Sequence, residues 1–399
     1  MRKTDKETFE TYFQGYQFIV VSHVIEHEWG GHFMALTEFL RTKTQRLLAV
    51  SLPFNYSRNR TPIARFYAGG RLSSEKYGNM LRSARRISLV SYTYDLIFAF
   101  YQCARLKQRR TVYVGADCLN TLIGIVLRQL GLIHLVVYYV IDYSPRRFSN
   151  GLLNLMYQWL CRFSGSHSDC IWALTGRMKR VYVAMGSCAA RTLIVPTGVH
   201  PREMIPRVDT CYKRIVFIGH LVKGKGVEVV IRALPKVLAK VPNARLVVIG
   251  DGPERENLER LAGCLQVRSS VDFSGFLKEG KAAEILASCD IGVATYVHEP
   301  SCISYYADPV KPKEYMASGL PVVITPVPEV AHDIEVAGAG VVVPLEEAQI
   351  ASAITDLLLI QSKLRAFQEN ARSMSRRFSW ENIFSEAFVS SAYSCNLQK

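Results

Sequence analysis

Short apolar runs rich in valine and isoleucine recur along the whole chain, and segments long enough to form helices separate them. This alternation is typical of βαβ units, in which helices join parallel strands. Because the runs are continuously apolar, each strand is expected to be covered by helices on both faces. The sequence therefore predicts an α/β protein with Rossmann-like, doubly wound sheets. The predicted strands are 18–22, 47–52, 87–92, 111–114, 135–141, 171–174 and 192–195 in the first half, and 214–218, 245–249, 271–274, 291–294, 321–324 and 340–343 in the second.

The length of the chain calls for more than one hydrophobic core. It has 399 residues, whereas chains split into domains beyond roughly 250 to 300 residues. Proline and glycine interrupt the pattern between 196 and 211, which marks a boundary. We predict one domain at 1–200 and a second at 201–378, facing one another across a cleft. The segment 379–399 is predicted to be helical and able to pack back on the first domain.

Positive charge is concentrated in the first half of the chain. The net charge is +15, and residues 1–200 hold 26 Lys and Arg against 11 Asp and Glu, so the rest is balanced. Such a surface can lie on an anionic membrane or bind a phosphorylated acceptor, although a solvated surface explains the same charge. Nucleic acid is an unlikely partner because no recognised motif accompanies the charge. Basic clusters occur at Arg82, Arg85 and Arg86, and at Arg105, Lys107, Arg109 and Arg110.

Several classes of protein are not expected. The longest apolar candidate for a membrane span, 87–101, contains Asp95 and falls short of about 20 apolar residues. The polar segment 1–14 does not resemble a signal peptide. We therefore expect a cytoplasmic protein that can be peripheral on the inner face of the membrane. The ten cysteines include no C-x-x-C pair, so we expect reduced thiols and neither a zinc site nor a disulfide framework.

Two glycines follow the first predicted strand, Gly30 and Gly31, and a helix is predicted to begin at His32. Glycines at this position let a ligand approach the backbone closely, and the adjacent helix N-terminus favours anionic groups. A tight turn between strand and helix explains the same residues.

A second glycine-rich loop, 219–226, follows the first strand of the second half and precedes a helix that begins near Val227. It contains His220 and Lys225 among its glycines. A strand, a flexible cationic loop and a helix N-terminus together form an arrangement that holds phosphates. The loop has neither a Walker pattern nor G-x-G-x-x-G spacing.

A third segment, 308–319, predicts a short helix from Pro309 to Ser318 that Asp308 caps. Its first amides, chiefly those of Val310 and Lys311, can bind a diphosphate, and the carboxylate of Glu314 can accept hydrogen bonds from a ribose diol. The alternative is a surface helix with a Lys311–Glu314 ion pair.

The second half resembles the donor domain of the GT-B glycosyltransferases, most closely family 4, also called glycosyl transferases group 1. Segment 246–253 resembles the V-I-G-x-G-P motif of the family, and 271–276 resembles its F-x-G strand. In the family an arginine and a lysine of the loop after the first strand contact the donor diphosphate. Lys225 matches the lysine, while His220 stands at the position of the arginine.

The resemblance also implies a role for Glu314, which matches the second glutamate of the family's E-x7-E motif and therefore binds the donor ribose. Tyr306 stands at the position of the first glutamate, which departs from the family at the carboxylate beside the transferred sugar. Phe378-Ser379-Trp380 resembles the family's ending. The likeness runs from about Ile194 to the C-terminus and extends only weakly into the first half.

In the first half, segment 136–142 resembles an inner strand whose end presents a histidine or an aspartate to the acceptor. Asp142 is therefore the candidate catalytic residue nearest the acceptor hydroxyl. The alternative is an N-cap or structural aspartate ahead of Ser144 and Pro145. Arg146 and Arg147 follow it and could bind the phosphate of a phosphorylated acceptor.

The function that the resemblance implies is transfer of a sugar from a nucleotide-diphosphate donor, a UDP- or GDP-sugar, to a hydroxyl of a glycan or lipid-linked acceptor. Retention of anomeric configuration follows from the family. We expect no further cofactor and no metal, since the sequence has no D-x-D motif. A nucleotide-sugar 2-epimerase of the same fold, a degenerate protein that binds a nucleotide sugar or a partner, and a nucleic-acid platform remain as alternatives.

Overall fold

The computed structural model describes residues 8–25, 31–54, 56–57, 59–79, 88–106, 110–200, 212–300 and 303–397. The chain forms two compact units. The first comprises Met1–Pro196 and Trp380–Lys399, and the second is Thr197–Ser379. The chain therefore leaves the first domain at Pro196 and returns to it at Trp380.

The first domain contains a central sheet whose core strands are parallel, as predicted. Its strands are β1 (Gln17–Val24), β2 (Arg46–Pro53), β3 (Ile63–Ala68), β4 (Arg71–Tyr77), β5 (Thr111–Ala116), β6 (Leu135–Val140), β7 (Cys170–Ala173) and β8 (Thr192–Ile194). Their order in the sheet is β4-β3-β2-β1-β5-β6-β7-β8. The helices are α1 (Phe9–Phe13), α2 (His32–Lys43), α3 (Ser88–Ala104), α4 (Cys118–Gln129), α5 (Gly151–His167) and α6 (Gly176–Ala184).

One edge of this sheet is an antiparallel hairpin that the sequence prediction missed. Strand β3 pairs antiparallel with both β2 and β4. Gly69 and Gly70 join β3 to β4 with φ of 53° and 76°, the positive values that a tight two-residue hairpin turn requires. The Gly-Gly pair between two strand-length segments was the available signal for this hairpin.

The predicted strand at 87–92 is wrong, because the described residues from Ser88 onward form helix α3. The helix runs to Ala104, and its buried residues recur at helical spacing along one face. These buried residues are Ser91, Asp95, Phe98, Ala99, Gln102 and Cys103. The first apolar residues of this segment have the composition of a strand. Only the spacing of three to four residues between buried positions further along identifies a helix.

The last helix of the chain, Trp380–Ser394, completes the aromatic core of the first domain. The ring of Phe388 contacts Phe9, Phe18 and Trp172, with centroids 5.2, 5.5 and 4.8 Å apart. The indole Nε1 of Trp172 donates a hydrogen bond to Ser391 Oγ at 2.8 Å. The C-terminal segment is therefore an integral part of this domain.

The second domain contains a fully parallel sheet. Its strands are β9 (Lys213–Ile218), β10 (Ala244–Ile249), β11 (Val271–Gly275), β12 (Ile291–Ala294), β13 (Val322–Ile324) and β14 (Gly340–Val342), in the order β11-β10-β9-β12-β13-β14. Each predicted strand of this half is present. The helices are α7 (Val227–Leu238), α8 (Arg255–Cys264), α9 (Glu279–Ala287), α10 (Ile303–Tyr306), α11 (Val310–Ala317), α12 (Val330–Val336), α13 (Glu347–Leu359) and α14 (Gln361–Ser375), and the C-terminal helix described above is α15.

Candidate functional site

The order of strands in the second domain places a ligand site beside β9. The strand order reverses there, since β10 pairs with one side of β9 and β12 with the other. In open α/β sheets, ligands bind at the carboxyl ends of the strands at such a reversal. Loop 219–226 follows β9, and the segment leading to α10 and α11 follows β12. Both motifs singled out in the sequence of this half therefore lie at the same edge of the sheet.

Loop 219–226 is fixed to the end of β12. Gly226 has a φ of 73° and precedes α7 as its N-cap. A β-carbon there would lie 2.6 Å from Thr295 Cβ, so only glycine fits. Thr295 Oγ1 donates a hydrogen bond to the carbonyl of Lys225 at 3.1 Å. The backbone of Lys225 is thereby held at the N-terminus of α7, with His220 exposed earlier in the loop.

The V-I-G-x-G-P segment supports the same loop from the other side. A β-carbon at Gly250 would lie 1.9 Å from the carbonyl oxygen of Gly219, and one at Gly252 would lie 2.4 Å from that of Leu221. The Leu221 amide also donates to the carbonyl of Asp251 at 3.0 Å. These glycines permit a close approach of two backbone segments, which preorganises the loop.

Helix α11 begins one residue later than predicted. Its N-cap is Pro309, and no side chain caps the helix, so the prediction that Asp308 caps it is wrong. Val310 and Lys311 occupy the first two helical positions, whose amides have no partner within an α-helix. Lys311 Nζ lies 2.9 Å from Glu314 Oε2. The predicted amides, cation and carboxylate thus share the N-terminal part of one helix.

Tyr315 fixes this helix to the end of β9. Its hydroxyl accepts a hydrogen bond from the Ile218 amide at 2.7 Å, directly before loop 219–226. Its ring packs on Gly292, where a β-carbon would lie 2.4 Å from the ring. Burial raises the pKa of Tyr315 well above its ordinary value, so the side chain stays neutral. Glu314 is consequently held at the edge of the sheet that carries Lys225.

Asp308 and Lys313 form a buried network that the sequence did not reveal. Lys313 Nζ lies 2.5 Å from Asp308 Oδ2 and donates to the carbonyl of Thr197 at 2.7 Å. The Thr197 amide donates a hydrogen bond to Asp308 Oδ2 at 2.6 Å. Lys313 Nζ also lies 4.4 Å from the ring centroid of Phe378. Burial lowers the pKa of Lys313, and Asp308 opposes that shift. The network ties the first and last segments of the domain to α11.

In the first domain the sheet reverses between β1 and β5, since β2 pairs with the other side of β1. Gly31 follows β1 as the N-cap of α2, with φ 154° and ψ −179°, a region that is essentially restricted to glycine. Among the described residues, no atom beyond the chain neighbours and the helix's own backbone lies within 4 Å of a β-carbon built there, which leaves room for a ligand beside the backbone. Gly30 lies outside the described residues.

Two polar residues at this edge were not predicted from sequence, namely His23 at the end of β1 and Asp117 after β5. Asp117 has a φ of 75°, which is uncommon for a residue with a side chain, and its Oδ1 accepts the amides of Leu119 and Asn120. His23 Nδ1 lies 3.3 Å from Asp117 Oδ2. The available signal was their position, each at the carboxyl end of an apolar strand beside the reversal.

Asp142 follows β6 at the same edge of the sheet. Its interpretation as an N-cap is wrong, because the next helix begins at Gly151 and Asn150 caps it. Desolvation raises the pKa of the Asp142 carboxyl, Arg147 lowers it and Asp117 raises it further. The residues Arg146 and Arg147, which follow in the chain, are exposed. The guanidinium carbon of Arg147 lies 5.6 Å from the ring centroid of Tyr157.

Two further observations apply to the part of the chain that the structure describes. No helix there is both long enough and apolar enough to span a membrane. No group of three or more His, Cys, Asp or Glu side chains there is placed to bind a metal ion.

Comparison with known families identifies the second domain. Residues 205–374 match the sequence model of the family described as glycosyl transferases group 1. An uncharacterised glycosyltransferase of Methanocaldococcus jannaschii is 34% identical over 176 residues, which cover 44% of this chain and 43% of that protein. The GDP-mannose-dependent α-(1-6)-phosphatidylinositol dimannoside mannosyltransferase of Mycobacterium tuberculosis is 28% identical over 229 residues, covering 55% of this chain and 56% of that protein. The chain thus spans about half the length of these curated relatives.

The fold of the whole chain is similar to that of solved GT-B glycosyltransferases. The crystal structure of Anabaena HepE in complex with UDP has a TM-score of 0.68 and 14% identity, covering 95% of this chain and all of that one. The sucrose-phosphate synthase of Thermosynechococcus elongatus has a TM-score of 0.64 and 16% identity, with 92% and 96% covered. At these identities the likeness shows the fold alone.

Proposed function

We propose that this chain, a GT-B protein whose second domain belongs to the glycosyl transferases group 1 family, transfers a sugar from a nucleotide-diphosphate donor to an acceptor hydroxyl. The second domain holds the donor, and the first domain holds the acceptor.

The observation that carries this proposal is the hydrogen bond between Tyr315 and Ile218, at 2.7 Å. It joins the helix that bears Val310, Lys311 and Glu314 to the strand that leads into the loop of Lys225. Lys225 and the first amides of α11 can then bind a diphosphate. Glu314 pairs with Lys311 through Oε2 at 2.9 Å, and its carboxylate can also accept a hydrogen bond from a ribose hydroxyl. This is the chemistry that a nucleoside diphosphate requires of its site.

The donor is a UDP- or GDP-sugar in this proposal. HepE was crystallised in complex with UDP, and the mycobacterial relative is named as GDP-mannose-dependent. Lys225, His220 and the first amides of α11 bind the diphosphate, while Glu314 binds the ribose. Gly31 of the first domain supplies open backbone at the N-terminus of α2, and the proposal assigns Gly30, before it in the sequence, to the same donor-binding role.

The same groups would assist the chemical step. Bond cleavage leaves negative charge on the departing nucleoside diphosphate, and preorganised cations and amides stabilise such charge most where they need not move. Protein cations can take this role, so the proposed reaction needs no metal ion. The family resemblance suggests that the acceptor attacks on the face from which the diphosphate leaves, with retention of configuration.

On the acceptor side we assign Asp142 to accept a hydrogen bond from the reacting hydroxyl, since it lies at the carboxyl edge of the first sheet. Arg146 and Arg147 follow it and are assigned to bind a phosphate on the acceptor. The mycobacterial relative is named for a phosphatidylinositol dimannoside acceptor, which supports a lipid-linked or phosphorylated glycan as the acceptor class.

Incubation with donors tests the reaction type. The chain would be mixed with UDP-glucose, UDP-N-acetylglucosamine or GDP-mannose, in EDTA, with phosphatidylinositol or an undecaprenyl-diphosphate-linked monosaccharide as probe acceptors, both of which carry sugar or inositol hydroxyls. A glycosylated lipid in the mass spectrum together with free nucleoside diphosphate supports transfer, and the coupling constant of its anomeric proton reports retention. Conversion of donor alone into its 2-epimer would establish the epimerase instead. Nucleotide binding without product across a broad panel of acceptors would favour a degenerate protein.

A further inference from the structure

Helix α5 carries an apolar stripe on the face turned away from the domain. Its members are Leu152, Leu155, Met156 and Trp159, which are 68, 66, 54 and 60% exposed. Their spacing of i, i+3, i+4 and i+7 places all four side chains on one face of the helix. We call this set the α5 stripe.

The opposite face of α5 already supplies the core contact of this helix. Its buried residues are Tyr157, Cys161, Ser164 and Gly165, and helical geometry sets these about half a turn from the stripe. Packing within the domain is therefore satisfied without the stripe. A helix that is apolar on both faces is normally buried on both, so the stripe is a surface that the domain itself does not cover.

The positive charge of the residues around the α5 stripe indicates that its partner is anionic. The segment 143–168 contains Arg146, Arg147 and Arg162 and no acidic residue, within a half of the chain that holds all of the excess positive charge. Leucine, methionine and tryptophan bordered by arginine are typical of a helix that lies in the headgroup region of a membrane. Arg162 lies one turn after Trp159 and borders the stripe directly. Arg147 and Phe148 instead contact Tyr157 on the opposite face of the helix.

We propose that the α5 stripe is a docking surface for anionic lipid, with α5 lying in the plane of the bilayer surface. The apolar side chains enter the boundary between headgroups and acyl chains, and Arg162, at the border of the stripe, contacts lipid phosphates. This inference does not rest on sugar transfer.

Vesicle sedimentation of the full chain tests the proposal, with phosphatidylglycerol and phosphatidylcholine vesicles at two salt concentrations. Wild-type chain is expected to sediment with the anionic vesicles, less at high salt, and weakly with the neutral ones. Leu152→Ser/Leu155→Ser/Trp159→Ser is expected to reduce the bound fraction at least about tenfold. All three substitutions are at solvent-exposed positions. The circular dichroism spectrum reports whether the whole chain remains folded, and calorimetric titration with UDP and GDP reports on the second domain.

A second triple variant, Val336→Ser/Leu359→Ser/Ile360→Ser, removes exposed apolar side chains from the second domain instead. These residues are 74, 55 and 47% exposed, so the variant controls for the loss of exposed apolar area as such. It is expected to bind the vesicles as wild type does. Absence of wild-type binding, or equal binding by the α5 variant, would overturn the proposal. A wild-type dimer in sedimentation velocity that the α5 variant alone dissociates, without vesicle binding, would assign the stripe to a second copy of the chain. Because the vesicles contain no sugar acceptor, failure here leaves the proposed transfer untouched.

Discussion

Lys313 and Asp308 form an ion pair whose Nζ–Oδ2 distance is 2.5 Å, with side chains 0% and 5% exposed. Both groups also bind the backbone of Thr197, which is the first residue of the second domain. A buried charge pair thus fixes the helix that carries the candidate donor groups to the first residue of its domain.

Lys313→Met is expected to destabilise the second domain by about 3–5 kcal/mol, because it leaves the Asp308 carboxylate buried without its cation. Differential scanning calorimetry of the full chain measures the loss as a lower unfolding temperature for that domain. Lys236→Met, at an exposed position of α7, is the control and should change stability by no more than about 0.5 kcal/mol. Equal unfolding temperatures for Lys313→Met and wild type would show that the pair does not hold the domain together.

The fold of the second domain could be predicted from the sequence almost completely, and the fold of the first only in its parallel core. Apolar runs identify parallel strands wherever both faces are buried, as in β9 to β14. The β3–β4 hairpin lies at a sheet edge, where β4 is mostly exposed, and its pattern is correspondingly weak. In α3 the first apolar residues have strand-like composition, and the buried positions that distinguish a helix come later.

The candidate site shows a similar division. Lys225, Lys311 and Glu314 could be proposed from the sequence because local spacing and glycine placement mark loops and helix ends, and because the family resemblance suggests roles for Lys225 and Glu314. The Asp308–Lys313 network depends on Thr197 and Phe378, which are distant in sequence and meet only after folding. The same holds for His23 and Asp117, which belong to different strands. Local pattern cannot reveal which long-range partners share one edge.

Two glycines of the candidate phosphate loop should differ in their tolerance of alanine. Gly224 and Gly226 both have positive φ, 83° and 73°, but only at Gly226 does a β-carbon meet Thr295, at 2.6 Å. Gly224→Ala should cost about 1–2 kcal/mol from backbone strain. Gly226→Ala must also displace the loop from β12, so we expect it to weaken UDP or GDP binding by at least about tenfold, a 1.4 kcal/mol change. Calorimetric titration of both variants checks this, and equal affinities would exclude the steric argument.

Lys225→Ala should slow sugar transfer by about 10²- to 10³-fold, the usual effect of removing one group that stabilises developing charge. The comparison variant is Lys223→Ala, an exposed lysine of the same loop, which should retain nearly full activity. Initial rates of nucleoside diphosphate release at saturating donor provide the measurement. An unchanged rate in Lys225→Ala would remove this residue from the leaving-group site.

The rate of transfer should fall in acid through the titration of Asp142. Its pKa is raised by desolvation, and the ionised carboxylate accepts a stronger hydrogen bond from the acceptor hydroxyl than the protonated acid does. In a plot of rate against pH, the acid limb, which is the fall on the acid side, should therefore occur at a higher pH than the ordinary pKa of an aspartate would give. Since Arg147 lowers this pKa, Arg147→Gln should move the limb to still higher pH, whereas Asp117→Asn should move it lower. A limb that neither variant shifts would argue against Asp142 as the titrating group.

The central claim is a nucleoside diphosphate site on the second domain, and calorimetric titration of UDP, GDP and ADP in EDTA tests it most directly. We predict that one of the three binds wild type with micromolar affinity and that Glu314→Ala abolishes this binding, while Glu369→Ala, at an exposed position of α14, does not. That result would establish the donor site and identify its base. If none of the three binds wild type, or if Glu314→Ala binds as tightly as wild type does, the assignment of this edge to a nucleotide-sugar donor is contradicted.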